Sequence, residues 1–456
     1  MKYKDLLLNK KKLHFIGIGG SGMFPIVQIL HSKGYIITGS DVNTGDIIDS
    51  ETKMGIQIFM GHKSSNVHGA DLIIYSAAIN MENPEILEAK KHGIPYVERS
   101  VMLGYLTALY SKPICIAGTH GKTTTTAMTT QALLTSNIDT AAVIGGKLPY
   151  INGYGKSGTS DIVAIESCEY HNTFHELTPS IAVLLNVDAD HLEFFGNMEN
   201  LKNSFRKFCN SSRDYIVYNI DDKQSCEVVE GLNIKLISFG LNENSDFRAI
   251  NIKNTKGGYY SFDILHNDLI IANLNLHAPG KHNIYNALAS FTACALVGAD
   301  AKLCAEGISN FYGAGRRFEI LSTNNNITIA DDYAHHPTEI ASTLTAAKQM
   351  GYNKIWAVFQ PFTYSRTKIL LDDFASALKI ADNVVMTEIM GGRETNDNYN
   401  IYTKDLADKI PNSVYFNTFE EVANYTIQHA SKNDLIITLG CGDIYKCAKM
   451  MVKLIN

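Results

Sequence analysis

The sequence predicts an α/β chain of three domains, and three observations carry that reading. Two glycine-rich turns, at residues 17–22 and 118–121, each sit between an apolar strand-like run and a helix-compatible stretch. Beyond Gly313-Ala314-Gly315-Arg316-Arg317, a glycine-bearing hinge candidate, the alternation of apolar runs and helical segments restarts. A chain of 456 residues has room for two to four domains with ample core. The boundaries fall at 1–110, 111–313 and 314–456.

The first domain opens with Leu13-His14-Phe15-Ile16, which reads as a strand. Gly17-Ile18-Gly19-Gly20-Ser21-Gly22 then satisfies Gly-x-Gly-x-x-Gly before a helix-like segment that runs to His31. A second strand at 35–38 ends at Gly39-Ser40-Asp41, which puts an acidic residue where a Rossmann fold places its ribose contact. The motif alone leaves three readings open: NAD binding, binding of another diphosphate nucleotide, and a tight structural turn. Strands at 72–75 and 94–97 complete this unit near Tyr110.

The second domain begins with the most specific stretch of the chain, Ile114-Cys115-Ile116-Ala117-Gly118-Thr119-His120-Gly121-Lys122-Thr123-Thr124-Thr125. Gly118 and Gly121 permit a backbone path that side chains would block, so N–H groups and the positive end of the next helix can face a polyphosphate. Lys122 adds a point charge for the terminal phosphates, and the Thr123 hydroxyl is a Mg²⁺ ligand in such loops. The first glycine sits two residues closer than in Gly-x4-Gly-Lys-Thr, and the bland alternative is a glycine turn before an ordinary helix. Strand-like runs follow at 161–166, 181–187 and 215–218, then an alternating stretch at 245–276 that reads as an antiparallel meander, then helical spacing at 283–297. A parallel nucleotide-binding sheet carrying a smaller antiparallel sheet results.

Glu166 and His191 each read as ending a hydrophobic strand, at the edge where α/β sheets keep their ligands. A carboxylate and an imidazole there suit a metal bridging a terminal phosphate to an acceptor, although a single histidine after an acidic pair is more often a surface residue. Pro279-Gly280-Lys281-His282-Asn283 precedes a helix and puts His282 and Asn283 in place for an adenine. The alternative is a Pro-Gly turn with Asn283 as the helix N-cap.

In the third domain strands are expected at 327–330, 355–359, 384–387 and 435–439. Asp331-Asp332-Tyr333-Ala334-His335-His336-Pro337 follows the first of them with a high density of ionisable groups. Zinc is disfavoured, because no Cys or third His has suitable spacing.

A formal charge of -6 argues against nucleic acid as a partner. No stretch of about 18 apolar residues predicts a membrane span, and the N-terminal dozen residues do not read as a signal peptide. The eight cysteines fall singly, never as Cys-x-x-Cys, as expected of reduced core residues in a cytoplasmic protein.

Gly-Thr-His-Gly-Lys-Thr-Thr-Thr, the Ile-Gly-Ile-Gly-Gly-Ser-Gly-Met opening, Asn-Val-Asp-Ala-Asp-His, Pro-Gly-Lys-His-Asn, Arg-Arg-Phe-Glu and Asp-Asp-Tyr-Ala-His-His-Pro-Thr-Glu occur in this chain. With them, the chain resembles the Mur ligases over residues 13–446, within the branch that adds the first amino acid. The resemblance implies a Rossmann-like domain for a UDP-sugar, a central ATPase and a C-terminal Rossmann-like domain for the amino acid. It also implies ATP-dependent, Mg²⁺-assisted ligation of L-alanine to the lactyl carboxylate of UDP-N-acetylmuramate through an acyl phosphate. That reaction belongs to peptidoglycan synthesis, hence to cell-wall biogenesis, cell shape and division, and the implied enzyme is a monomer or weak homodimer.

Family roles carry over by residue. Gly118, Thr119, His120, Gly121, Lys122, Thr123 and Thr124 match the ATP loop, with Lys122 on the β- and γ-phosphates. Thr123, Glu166 and His191 match metal ligands. His282 and Asn283 match the adenine and ribose contacts, Arg317 the hinge arginine reaching the phosphates, and Asp332 a nucleotide contact. Gly19, Gly20, Ser21, Gly22, Met23, Asp41, Ser76 and Ala77 fall where the family binds uridine diphosphate. Tyr333, His335, His336 and Arg366 would face the amino acid. Where relatives commonly show Phe-Gln-Pro-His, this chain has Phe359-Gln360-Pro361-Phe362, so Arg366 is left as the basic group of that motif. Arg206-Lys207 lie where several relatives carry a carbamylated lysine, with no role assigned. A nicotinamide dehydrogenase would leave the second glycine loop unexplained. A tripeptide-recycling ligase of the same superfamily would carry a Cys-Gly-Thr-Phe sequence absent here. A non-catalytic UDP-sugar-binding protein would be expected to have lost Lys122, Glu166 or His191.

Overall fold

The structure is a computed structural model that describes residues 5–255, 257–392 and 394–455. The chain is α/β throughout and forms two compact units, the first of residues 1–248, 266–269 and 286–308, the second of the remainder.

The first unit holds two sheets. The N-terminal one is wholly parallel, built from β1 (Lys12–Ile16), β2 (Ile36–Asp41), β3 (Gln57–Met60), β4 (Leu72–Tyr75) and β5 (Tyr96–Glu98) in the order β3-β2-β1-β4-β5. The helices α1 (Phe24–Ser32), α2 (Asp46–Lys53), α3 (Pro84–His92) and α4 (Arg99–Ala108) alternate with the strands. Local chemistry explains the ends: Asn83 caps α3 by accepting from the Glu85 N–H, and Gly93 closes it at φ 66°. The sheet has one strand more than the sequence suggested. Gln57–Met60 is a short edge strand with two exposed residues, too brief and too wet to show as an apolar run.

The second sheet of this unit comprises β6 (Lys112–Ala117), β7 (Ala141–Leu148), β8 (Gly153–Lys156), β9 (Ile162–Glu166), β10 (Ile181–Leu184), β11 (Tyr215–Asn219) and β12 (Lys235–Gly240), in the order β12-β11-β10-β6-β9-β7-β8. All neighbours are parallel except the β7/β8 pair. Strand β6 is central and buried from its second residue on. It feeds α5 (Lys122–Thr135), whose buried threonines donate back to carbonyls four residues earlier, as in Thr126 to Lys122 O and Thr130 to Thr126 O at 2.8 Å. Short α6 (Leu192–Phe195) is followed by α7 (Met198–Asn210) and α8 (Lys223–Val229). Helix α7 buries Leu201, Phe205 and Phe208 along one face. Phe174 lies flat on Phe208 with ring centroids 4.8 Å apart and edge-on to Phe205 at 5.4 Å, each buried ring contributing about 1.5–3 kcal/mol. Arg206 donates to Val228 O at 2.8 Å, at the end of α8.

Strand β13 (Phe247–Thr255) begins parallel to β12 in the first unit. In the second unit it leads into β14 (Tyr259–His266) and β15 (Leu269–Asn275), the expected meander. Helix α9 (His282–Leu296) then starts in the second unit and passes into the first, where α10 (Ala301–Ser309) follows.

The rest of the second unit is a six-stranded sheet: β16 (Glu319–Asn324), β17 (Ile327–Asp332), β18 (Ile355–Phe359), β19 (Asn383–Thr387), β20 (Val414–Phe416) and β21 (Leu435–Leu439), in the order β16-β17-β21-β18-β19-β20. Only β16 runs antiparallel. The helices α11 (Pro337–Gln349), α12 (Tyr364–Ile369), α13 (Leu371–Leu378), α14 (Thr403–Ala407), α15 (Phe419–His429) and α16 (Tyr445–Ile455) complete it. Asp331 and Asp332 are the last two residues of β17 rather than the loop after it. No described helix is long and apolar enough to cross a membrane. All eight cysteines are free thiols, five of them buried.

Candidate active site

Strand β6 ends in a turn whose two glycines are sterically required. Gly118 has φ 146° and Gly121 φ 85°. A Cβ on Gly118 would lie 2.9 Å from Leu185 Cβ, and one on Gly121 would lie 2.5 Å from Asn286 Oδ1. The turn is stitched to the segment after β10. The Thr119 N–H donates to Asn186 O at 3.1 Å, the His120 N–H to Asn186 Oδ1 at 2.8 Å, and the Asp188 N–H to Thr119 Oγ1 at 2.9 Å. His120 Nε2 lies 3.0 Å from Asp188 Oδ2. This stitching corrects the expected extent of β10, which stops at Leu184 rather than Val187. Asn186 and Asp188 spend backbone and side-chain groups on the glycine turn, and the Val187 N–H between them goes to Asp222 Oδ1 at 3.2 Å. His191 therefore does not end a strand: it sits in a left-handed conformation, φ 55°, just before α6.

Lys122 opens α5 and turns its ammonium into the loop, donating to Gly118 O at 2.6 Å, Thr119 O at 2.9 Å and Glu169 Oε1 at 3.0 Å. Burial pulls this ammonium down, but the surrounding groups, Glu169 foremost with Cys168 and Glu166, more than reverse that, and it is pushed up to about 12. It is a cation at any physiological pH. Thr123 donates to Glu166 Oε1 at 3.0 Å, and the other Glu166 oxygen accepts from the Gly145 N–H at 2.7 Å. A Cβ at 145 would lie 2.5 Å from Glu166 Oε1, so any larger residue there would push the carboxylate aside. Thr124 follows, half-buried. The structure thus brings Gly118, Thr119, His120, Gly121, Lys122, Thr123 and Glu166 together. The His191 ring lies tilted against Tyr170, centroids 4.4 Å apart, and its Nδ1 lies 3.4 Å from Glu193 Oε1.

Four residues here escaped the sequence reading: Glu169, Gly145, Asn186 and Asn286. Glu169 lies three positions after Glu166, a visible signal. Asn286, whose Oδ1 accepts from Thr125 at 3.2 Å, is 161 residues away and gave none.

The N-terminal turn is arranged differently. Gly17, φ 76°, lies against Ser76, with a Cβ there 3.2 Å from Ser76 Cβ, so the ends of β1 and β4 meet. The Gly19 N–H donates to Asp41 Oδ2 at 3.0 Å, joining the turn to the end of β2. Gly20 and Ser21 are exposed, Met23 is buried ahead of α1, and Ala77 is exposed beside Ser76. Arg99, at the start of α4, lies against Gly22: a Cβ there would be 3.3 Å from Arg99 Nη1. This cation went unnoticed in the sequence, where nothing connects it to the turn.

The second unit carries its own cluster. Arg317 stacks over Tyr333 at 4.9 Å, and Arg316 pairs with Asp331 at 2.8 Å. Arg316 and Phe318, on either side of Arg317, have φ 58° and 48°, strain of the kind that collects at functional sites. Asp332 accepts from the Phe318 and Ala334 N–H groups at 2.7 Å, and burial, against the pull of Arg317, raises its carboxyl to about 6. His335 Nδ1 lies 3.3 Å from Glu339 Oε2. His336 caps α11, its ring nitrogen facing the Thr338 N–H at 3.4 Å. Arg366 is buried in α12, and Phe362 lies 3.2 Å from a Cβ built on Gly392. The alternative reading of Asn283 as an N-cap does not hold. Helix α9 begins one residue earlier, at His282, and Asn283 turns back from inside the first turn to donate to Pro279 O at 2.8 Å. The exposed His282 ring lies against Gly280, where a Cβ would meet it at 2.5 Å.

Three family profiles match in chain order. Residues 12–111 match the Mur ligase family, catalytic domain; 116–294 the Mur ligase middle domain; and 316–442 the Mur ligase, glutamate ligase domain. The chain is 41% identical to a UDP-N-acetylmuramate–L-alanine ligase of Acetivibrio thermocellus, covering 97% of this chain and 96% of that one. It is 40% identical to one of Clostridium acetobutylicum, with 97% of each covered. The crystal structure of a UDP-N-acetylmuramate-alanine ligase from Thermotoga maritima superposes with a TM-score of 0.84 at 28% identity, over 97% of this chain and 98% of that one. A murein peptide ligase from Psychrobacter arcticus shares the fold, with a TM-score of 0.76 at 23% identity over 98% of each chain. On these grounds the chain belongs to the Mur ligase family.

Proposed function

We propose that this protein joins L-alanine to the lactyl carboxylate of UDP-N-acetylmuramate at the expense of ATP, in the synthesis of peptidoglycan precursors. One observation carries the reading. The glycine loop, Lys122, Thr123 and Glu166 converge on one point in a chain 41% identical along nearly its whole length to a ligase of that name. In the same scheme the chain divides into domains at 1–110, 111–313 and 314–456, proposed for the UDP-sugar, ATP and the amino acid in turn.

A carboxylate resists attack by an amine because oxide is a poor leaving group. Transfer of the γ-phosphoryl of ATP turns that oxygen into phosphate, the alanine amine attacks the acyl carbon, and phosphate departs. For such transfers catalysis is positioning and charge neutralisation. Here Lys122, held as a cation, and the α5 N-terminus supply it. The hydroxyl of Thr123 and the carboxylate of Glu166, 3.0 Å apart, are hard oxygen donors that fit Mg²⁺, with His191 the third proposed ligand. Bound there, Mg²⁺ would neutralise charge on the phosphates. Gly19, Gly20, Ser21, Gly22, Met23, Asp41, Ser76 and Ala77 are proposed for the UDP-sugar. Arg317, Asp332, His282 and Asn283 are proposed for the nucleotide. Tyr333, His335, His336 and Arg366 are proposed for L-alanine. The reaction fits a cytoplasmic enzyme, monomeric or weakly dimeric.

Phosphate release from ATP, measured with UDP-N-acetylmuramate and each of the twenty amino acids, tests the reading. L-alanine should give the highest kcat/KM. Preference for an L-alanyl-γ-D-glutamyl tripeptide would transfer the assignment to a recycling ligase, and absence of turnover with any acceptor would remove the enzymatic reading.

A further inference from the structure

Lys122 and His191 stand on different elements, and a single loop touches both. After β9 the chain runs Ser167-Cys168-Glu169-Tyr170-His171-Asn172. The Glu169 side chain, only 2% exposed, meets the Lys122 ammonium at 3.0 Å. The next residue, Tyr170, lays its ring on His191 at 4.4 Å with an interplanar angle of 32°. It also meets Phe194 edge-on at 5.9 Å.

The loop is firmly held. The Ser167 N–H donates to Ile116 O at 2.9 Å, beside the start of the glycine turn. Cys168 O accepts from both the Phe174 N–H and the Thr173 hydroxyl, at 3.1 and 2.8 Å, and Glu169 O accepts from the Asn172 N–H at 2.8 Å. His171 and Asn172 are consecutive left-handed residues, φ 53° and 57°, a costly conformation that persists only where the surroundings over-determine it. Underneath, Phe174 is packed into α7. A loop this constrained transmits position.

We propose that Glu169 and Tyr170 are positioning residues: Glu169 aims the Lys122 ammonium along the glycine loop, and Tyr170 fixes the plane of the His191 ring. One rigid loop thereby sets the separation between the phosphate-facing cation and the imidazole. Lys122 has three donors, and two already go to neutral carbonyls within its own loop, so Glu169 is its ionic anchor. Positioning of this kind matters because a misplacement of about 1 Å can lower a rate a hundredfold. The inference rests on the ligase reading above.

A double-variant cycle on kcat/KM for ATP tests it. Glu169→Gln keeps shape and removes charge. It should lower kcat/KM for ATP about 10–100-fold while KM for UDP-N-acetylmuramate stays within about threefold. In a Lys122→Ala background the same change should add less than about threefold, because its target is gone. Glu169→Asp, which keeps the charge, should lose less than Glu169→Gln, and serves if the amide variant does not fold. Tyr170→Leu should raise the Mg²⁺ needed for half-maximal rate, and Tyr170→Phe should not. Additive losses in the double variant, or equal losses for Asp and Gln at 169, would overturn the positioning role. A wild type that releases no phosphate with UDP-N-acetylmuramate and L-alanine would instead overturn the ligase reading itself.

Discussion

Both glycine-rich turns leave the C-terminal end of a buried parallel strand, β1 in one case and β6 in the other, and both lead towards a helix, yet they handle charge in opposite ways. The central turn carries its own cation: Lys122 is the first residue of α5, and Glu169 pairs with it at 3.0 Å. The N-terminal turn carries no basic residue between Gly17 and Met23, and α1 begins only at Phe24. Its cation arrives from elsewhere, as Arg99 against Gly22, and its acid is Asp41, bonded to the Gly19 N–H. Behind it Glu51 is wholly buried, with no hydrogen-bond partner for either oxygen among the described residues, and is driven towards neutrality. Under the proposed function the same backbone device would serve two purposes: the turn where charge develops has its cation built in and anchored, and the turn that only holds a ligand relies on the backbone and a borrowed arginine.

The sharpest way to break this contrast is Lys122→Ala. If the central turn is the reactive one, losing a preorganised cation should slow ligation about a hundred- to a thousandfold, or about 3–4 kcal/mol. Circular dichroism should be unchanged. A rate within threefold of wild type would make the two turns equivalent. Glu166→Ala comes next: it removes a hard oxygen ligand, and the Mg²⁺ concentration for half-maximal rate should rise by about tenfold or more. An unchanged titration would take Glu166 out of the metal site.

Alanine at the glycines separates the turns by geometry. Gly121→Ala forces a positive φ on alanine and a 2.5 Å approach to Asn286 Oδ1, and should cost about 1–3 kcal/mol of stability. At Gly20 a Cβ meets only Gly17 O at 3.4 Å and the Met23 side chain at 3.6 Å, both ordinary contacts. Gly20→Ala should therefore melt within a few degrees of wild type, about 1 kcal/mol or less, and reveal itself in weakened UDP-sugar binding. Equal melting losses would show that both turns are glycine-rich for the same steric reason.

The contrast also explains what was legible in the sequence. Glycine spacing betrayed both turns, and buried apolar runs such as β4, β18 and β21 were found at their true limits because burial and periodicity are local signals. The charge arrangement was legible only where it is local too. Lys122 and Thr123 follow the glycines directly, whereas Arg99 and Asn286 reach their turns from 77 and 165 positions away and leave no pattern. The end of β10 was misplaced for a related reason: Leu185 and Val187 are apolar and buried, as in a strand, but Asn186 between them bonds the glycine turn. Short edge strands such as β3 and β20 were missed because half-exposed segments of three or four residues have too little periodicity to detect.

The smallest effect sharpens the N-terminal side of the comparison. Burial, and then the charge of Asp41, raise the Glu51 carboxyl from 4.5 to about 9. Between those values the folded chain holds a proton that the unfolded chain has already released, so stability falls as pH rises through that window. Below 4.5 the contribution is complete, and above about 9 it is gone. The slope for one such group cannot exceed about 1.4 kcal/mol per pH unit. Glu51→Gln keeps the shape and is neutral at every pH, so its melting temperature relative to wild type should climb steadily from pH 5 to pH 9. Asp41→Asn should flatten the wild-type decline in part, since it removes the second of the two causes. Parallel curves for wild type and Glu51→Gln would mean that Glu51 ionises freely in the fold. The N-terminal turn would then rest on a charged acid, as the central one does, and the electrostatic contrast between them would reduce to where each finds its cation.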